Sequence, residues 1–326
     1  MDNFRTEIEP TPSDSKLSYD AHMFFMGSCF ATNIGAYFQQ TQFNALVNPF
    51  GVLYNPFSIA NALDRMMDED GQYKKSDLSF NNGLWQSFDH HGQFNEVDAD
   101  ACLNGINESL LIGHDFLKKA NILFITFGTA WVYQLAESEK IVSNCHKFPA
   151  SHFNRFLSKV DDIVGLYERL VLRLKEFNPS IKIVLTISPV RHWKDGAHGN
   201  QLSKSILHLA ADSLVNRFDN ITYFPAYELL LDDLRDYRFY ADDLLHPSKL
   251  AIEYIKNKYI EAWLDDDAKQ FIKRISKLNK ALAHRPFNKS TEAYSQFIKK
   301  TATQLKSLQK EYSNISLNKM TDYLPE

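Results

Sequence analysis

A serine flanked by small residues, in Gly27-Ser28-Cys29-Phe30-Ala31, separates an apolar run at 21–26 from a run of helical spacing at 32–40. The pattern predicts a strand, a tight turn and a helix, with the serine on the turn. There the side chain stands at the carboxyl edge of a sheet. The neighbouring amides sit at a helix N-terminus, where unpaired N–H groups and the positive dipole end can receive a developing oxyanion. Such a nucleophile needs a base. Far along the chain, Asp242-Asp243-Leu244-Leu245-His246-Pro247-Ser248 precedes another helical stretch at 249–263. Two residues between Asp243 and His246 let the carboxylate fold back onto the imidazole Nδ1 hydrogen, which fixes the tautomer and leaves Nε2 free to take a hydroxyl proton. Pro247 restricts His246 to extended backbone and suits the opening of the helix behind it. The chain order Ser28, Asp243, His246 is then nucleophile, orienter and base. Two neighbours compete for these roles: Asp242 with Asp243, and Cys29 with Ser28, because a thiol beside a helix N-terminus ionises more readily.

The pentapeptide resembles the signature of the GSCFA family, which is similar to the SGNH/GDSL hydrolases. Asn48-Pro49-Phe50-Gly51, Thr126-Phe127-Gly128-Thr129-Ala130-Trp131, Asn144-Cys145-His146-Lys147, Ser188-Pro189-Val190-Arg191-His192 and residues 243–248 agree with it, so that it covers roughly the first four fifths of the chain. The resemblance implies a flavodoxin-like three-layer α/β/α sandwich with a mainly parallel sheet, a Ser/His/Asp apparatus, and hydrolysis or transfer of an acyl ester. SGNH enzymes build the oxyanion hole from the serine amide, a glycine amide after the second strand and an asparagine in G-x-N after the third. This chain departs from that pattern. Gly128-Thr129-Ala130 lacks the asparagine, and Gly27 stands where GDSL proteins carry aspartate. The expected donors are therefore the Ser28 amide, the Asn48 side chain, a backbone N–H of Gly51 or Gly128, and the Thr129 hydroxyl.

Side chains expected to contact substrate are Trp131, His146, Arg191, His192 and His91. Arg191 and His192 follow the fourth predicted strand, where a guanidinium can hold a carboxylate or phosphate through two hydrogen bonds. His90-His91 does not read as a metal site, since adjacent histidines diverge in extended chain and no carboxylate–histidine spacing accompanies them. No metal and no cofactor are expected, and neither a phosphate loop nor a dinucleotide fingerprint appears.

Apolar runs at 21–26, 122–127, 181–188 and 221–224, and a weaker one at 43–47, read as buried strands; helical periodicity falls at 32–40, 55–67, 158–177, 201–218 and 249–263. In the third helix Ser158 with Asp161 resembles a capping box. This alternation indicates an α/β protein with a parallel sheet covered on both faces, whose ligands bind at the carboxyl ends of the strands. Residues 1–264 form the expected hydrolase domain, interrupted at about 68–107 by an Asp/Asn/Gly-rich insertion too long for a simple connection, which reads as a lid or an irregular loop. Residues 265–326 carry two apolar stripes with His284-Arg285-Pro286 between them, a helical hairpin suited to packing on the main domain or to self-association.

The 326 residues carry a net charge of -4, which argues against nucleic acid as a partner. No stretch is apolar and long enough to span a bilayer, and the first ten residues are polar and acidic rather than signal-like. Cys29, Cys102 and Cys145 make an odd set without metal spacing, which points to a reducing compartment, the cytoplasm. Phenylalanine is frequent, at 24 residues, and reads mainly as core. The function these residues indicate is serine-dependent hydrolysis of acyl esters, such as O-acetylated sugars or glycan precursors. Acyl transfer by the same triad, and a non-catalytic carbohydrate-binding protein that retains the fold, use the same features.

Overall fold

The computed structural model describes residues 5–283, 288 and 290–312. The expected turn at 284–286 lies outside them. The core is a five-stranded parallel sheet made of β1 (Met23–Gly27), β2 (Ala45–Val47), β5 (Ile122–Phe127), β9 (Lys182–Ile187) and β10 (Ile221–Tyr223). The spatial order is β2-β1-β5-β9-β10. Renumbered among themselves the strands run 2-1-3-4-5, the flavodoxin-like order. Register is unbroken from Met23↔Ile122 to Gly27↔Thr126, and from Ile122↔Lys182 to Phe127↔Ile187.

Alternate side chains of these strands go to opposite faces. Phe24, Met26, Leu123, Ile125, Ile183 and Leu185 enter one apolar cluster. It is covered by α2 (Pro56–Met67), α3 (Ala99–Leu117), α4 (Val160–Phe177) and α5 (Gly196–Arg217). Met23, Phe25, Ile122, Phe124 and Val184 enter the other, beneath α1 (Cys29–Gln40), the short α6 (Ala226–Glu228) with the π-turn Leu229–Leu234, α7 (Lys249–Trp263) and α8 (Asp266–Leu282). Apolar residues on both faces explain why these strands read as continuous apolar runs instead of alternating ones. In the C-terminal hairpin, α8 sets Phe271, Ile275 and Leu278 into the second cluster, and α9 (Glu292–Glu311) adds Leu305 and Leu308.

Three features differ from the sequence expectation. Residues 99–117 form α3, capped by the Asp98 carboxylate accepting from Ala101 N–H at 2.8 Å, where the sequence pattern marks no helix. The apparent insertion is thus partly the second helix of the β2–β5 crossover; the rest is a small hairpin, β3 (Ser79–Asn81) with β4 (Leu84–Gln86), and short turns. Residues 131–157 form a separate antiparallel sheet, β7 (Ile141–Val142), β6 (Trp131–Leu135) and β8 (Phe153–Leu157), above the carboxyl end of β5. Its strands are half-buried and aromatic, and they lack the long apolar runs that marked the core. Finally, the N-terminus of α4 is shifted by one residue. Asp162 accepts from Lys159 N–H at 3.3 Å, while the Ser158 hydroxyl donates to Ala130 O at 2.9 Å and ties the helix to β5's extension.

Candidate active site

Ser28 caps α1 directly after β1, with extended backbone and a hydroxyl that accepts from Phe30 N–H at 3.3 Å. The turn is held from two sides. Gly27 N–H donates to Asn48 Oδ1 at 2.8 Å, and Gly27 O accepts from Leu53 N–H at 3.0 Å. Gly27 itself has φ +127°, and a Cβ there would lie 2.2 Å from Thr126 O. Only glycine lets β1 stay against β5 while the chain turns.

His246 and Asp243 lie on the loop between the π-turn and α7. Asp243 Oδ2 meets His246 Nδ1 at 2.6 Å, while Oδ1 accepts from the amides of Leu245 and His246, each at 2.9 Å. These two amides, His246 first, with the imidazole added, hold the carboxyl down at about 2. Asp242 has no such contacts, so of the two neighbouring carboxylates it is Asp243 that meets the imidazole. Ser28 and His246 line one cleft of about 560 Å³ at the carboxyl ends of β1, β5 and β9. No hydrogen bond joins their side chains in this structure. Active-site hydrogen bonds that are long or absent in a free protein commonly form only with substrate bound.

Cys29, the competing nucleophile, is half-buried and lines the same cleft. Burial nonetheless pushes its thiol up, against the pull of its own amide and that of Phe30, so the helix N-terminus does not yield a thiolate here.

The expected oxyanion donors are mostly committed elsewhere. Asn48 is absent from the cleft wall, and its Nδ2 donates to Thr32 Oγ1 at 2.9 Å. It braces the turn at Gly27 and Ser28. Gly51 N–H donates to Asn48 O at 2.7 Å; Gly128 and Thr129 N–H both donate to Tyr54 O, at 2.8 and 3.0 Å. The Thr129 hydroxyl bonds Ser203 Oγ at 3.1 Å and accepts from Trp131 N–H at 3.1 Å. Ser28 N–H makes a long 3.3 Å bond to Thr126 O. What remains is the first turn of α1, whose Cys29 amide has no backbone acceptor. These are the helix N-terminal amides that the position of the serine turn led one to expect, while the named side-chain and glycine donors are engaged elsewhere.

Of the expected substrate contacts, Trp131, His91, Arg191 and His192 line the cleft and His146 does not. His146 is buried, with Nε2 on Ser87 O at 2.7 Å and Nδ1 near Asn95 Nδ2 at 3.3 Å, and it fastens the crossover loops together. His192 packs edge-on against Tyr54, with its amide on Asn200 Oδ1 at 2.9 Å; burial, with Lys204 adding, drives its pKa down to about 4, so it is neutral at pH 7. The second sheet contributes a wall not foreseen from sequence. Arg155 lies 4.2 Å above the Trp131 ring and pairs with Asp195 at 2.6 Å, and Lys194 Nζ donates to the Tyr133 hydroxyl at 2.5 Å. These partners are tens of residues apart, and no local spacing announces them.

Lys204 is the other residue missed. It is 1% exposed and its ammonium donates to Gly128 O and Ser188 O, both at 2.7 Å, pinning the ends of β5 and β9 beneath the cleft. A signal did exist, because Lys204 stands at i−3 and i−7 of Leu207 and Ala211 on the buried stripe of α5. Burial pulls its pKa down to about 7 from 10.5. The unfolded chain therefore holds this proton more tightly, and stability contributed by the site rises with pH between about 7 and 10.5. Urea denaturation of Lys204→Met at pH 6.5, 8 and 9.5 is expected to show a shallower pH dependence than the parent, by up to about 1.4 kcal/mol per pH unit. Parallel curves would mean that the folded protein keeps the Lys204 ammonium charged across this range, as the unfolded chain does.

Among the described residues no group of histidine, cysteine, aspartate or glutamate has metal-site geometry, and no helix is long and apolar enough to cross a membrane. Fold and site together define a flavodoxin-like α/β/α protein with a helix-capping serine and an Asp–His pair at one cleft on the carboxyl edge of its sheet. The profile of the GSCFA family matches residues 22–259, and that of the GSCFA domain protein C-terminal domain matches 275–326. The chain belongs to the GSCFA family. Similar solved structures include a Streptococcus pneumonia protein assigned as a platelet activating factor, 12% identical, with a TM-score of 0.38 over 74% of this chain and 83% of that one. Another is a carbohydrate esterase family 3 protein from Talaromyces cellulolyticus, 13% identical, with a TM-score of 0.27 over 49% and 60% of the two chains. Comparison with curated proteins returned no match.

Proposed function

We propose that this protein is a cofactor-independent serine hydrolase of acyl esters. The observation that carries the reading is the sharing of one cleft by the helix-capping Ser28 and by His246, whose Nδ1 is held 2.6 Å from Asp243. With substrate bound, the Ser28 hydroxyl donates to Nε2 of the exposed His246. His246 takes the proton as Ser28 Oγ bonds to the acyl carbon. The carbonyl oxygen becomes an oxyanion facing the first-turn amides of α1. His246 then gives its proton to the departing alkoxide, and the C–O bond breaks to leave the acyl-enzyme. Water, deprotonated by the same imidazole, releases the acid and restores Ser28. An O-acylated saccharide suits a cleft walled by Trp131, Tyr133 and Tyr54. In acyl transfer a second alcohol takes the place of water, and product analysis with an added sugar acceptor separates the two. Three unpaired cysteines support a reducing compartment as the site of action.

A fluorophosphonate probe tests the reading. We expect one equivalent of label on the Ser28-containing peptide, lost in His246→Ala. Labelling of a folded protein at no residue retires the enzyme in favour of a binding protein, and selective alkylation of Cys29 with loss of turnover moves the nucleophile by one position.

A further inference from the structure

Beside the cleft at Ser28 lies a second, of about 550 Å³, lined by Tyr227, Leu231, Arg235, Tyr237 and Tyr240. Both volumes are typical of small-ligand sites, roughly 300–1,000 Å³. Arg191 lines both and joins them. Its position is fixed: the amide donates to Leu245 O at 3.2 Å, next to the proposed base, and the guanidinium lies 4.4 Å from the Trp193 ring. The Tyr240↔Pro247 bridge makes the His246 loop the rim between the two spaces.

Charge along this path is one-sided. The carboxylates that line it are already neutralised, Asp195 by Arg155 at 2.6 Å and Asp236 by Arg238 at 3.0 Å. Asp243 is taken by His246, and Asp242 lines neither cleft. Arg191, Lys194 and Arg235 have no carboxylate within 4.0 Å among the described residues, and the Tyr133 hydroxyl that receives Lys194 leaves its charge in place. Three uncompensated cations on a protein of net charge -4 are thus gathered along one groove, interleaved with aromatic faces. A planar guanidinium binds carboxylate or phosphate through paired hydrogen bonds, and aromatic rings offer apolar faces to the C–H faces of sugar rings.

Resting on the esterase reading, we infer that the alcohol half of the ester is an anionic saccharide. Its acylated unit sits at Ser28, its carboxylate or phosphate meets Arg191, and further units run across the His246 rim into the tyrosine-lined cleft beside Arg235. The anion is what the groove selects, so the product should bind as well as the ester.

Calorimetric titration of the full chain tests this without any turnover, using a trigalacturonate, glucose 1-phosphate and neutral maltotriose. At low salt an anionic ligand is expected to bind at least about tenfold tighter than maltotriose, the scale of one charged hydrogen-bonded contact. Added salt narrows the gap. Arg191→Gln removes most of the advantage, and Arg235→Gln weakens the trisaccharide more than the monosaccharide phosphate. Which anion gains more identifies carboxylate or phosphate as the charge carried. Maltotriose binding as tightly as both anions, no binding by any of the three, or an advantage that survives both substitutions overturns the inference. The esterase reading fails on different data: anion binding with no fluorophosphonate label leaves this groove assigned and removes the hydrolase.

Discussion

Ser28→Ala is expected to lower turnover of short acyl esters by about 10⁴-fold or more, the scale seen when the nucleophile of a serine triad is removed. The loss is chemical. Ser28 accepts a single 3.3 Å contact from Phe30 N–H as a helix cap, so its deletion costs on the order of 1 kcal/mol of stability and leaves the fold intact. His246→Ala should match it in rate, because nucleophile and base act as one unit, and the double variant should be no slower than either single one. Its side chain is half exposed, so the chemical denaturation midpoint should stay within error. Asp243→Asn is more instructive. The amide can still accept from Leu245 and His246 N–H and keep the loop, yet its NH₂ would face Nδ1 and force the wrong tautomer, at a cost of about 10³- to 10⁴-fold in kcat. Steady-state rates on a chromogenic acetate, with circular dichroism as the folding control, measure all four. Ser28→Ala working within tenfold of the parent would remove this residue from the chemistry.

Gly27→Ala should be strongly destabilising. Its Cβ would stand 2.2 Å from Thr126 O and 2.9 Å from Thr126 C, at a φ of +127° that side chains avoid. Both obstructing atoms are backbone of the central strand, so no rotamer relieves the clash. Either β1 separates from β5 at the Gly27↔Thr126 pair or the turn changes shape. Strain and overpacking together put the loss on the order of 3–5 kcal/mol, with ester turnover falling alongside because Ser28 is the next residue. Gly83 is the control: at φ +79° it has nothing within 4 Å, and its alanine variant should cost only about 1 kcal/mol of backbone strain. Urea midpoints for the two variants decide the matter. Equal, small shifts would show that the close approach at Gly27 is not a constraint.

The position of the proposed nucleophile turn was legible because one residue carries several local demands. Ser28 is small, follows a fully buried strand and caps a helix, and each of these leaves a mark within a few positions. The Asp243–His246 pair was legible for the same reason, as its 2.6 Å bond spans three residues on one loop. The parallel core strands announced themselves through burial on both faces. Helix α3 did not. Its stretch 99–117 mixes Asn, Glu, Gly and His into an apolar stripe of Cys102, Ile106, Leu110 and Leu117, and the Asp/Asn/Gly-rich segment before it disguised where the loop stopped.

Local rules also assigned the wrong work to some residues correctly singled out. An asparagine after the second strand looked like an amide donor for the cleft, but Gly27 N–H has no ladder partner at the end of β1, and Asn48 supplies one. His146 looked like a ligand-facing residue and is a buried fastener instead. In each case an unpaired polar group nearby claimed the side chain, and leaving such a group buried alone costs about 1–3 kcal/mol.

The amino-acid order by itself determined what forms through contacts a few residues long: the strands, most helices, the capped serine turn and the carboxylate–imidazole pair. Only the tertiary structure decided what lines the cleft around them. Arg155 against Asp195, Lys204 beneath Gly128 and Ser188, and Arg191 between two clefts depend on partners 16 to 76 residues away or on two walls meeting in space. Charge pairing and desolvation act through distance, which sequence spacing does not encode until the sheet order has set which strand ends meet.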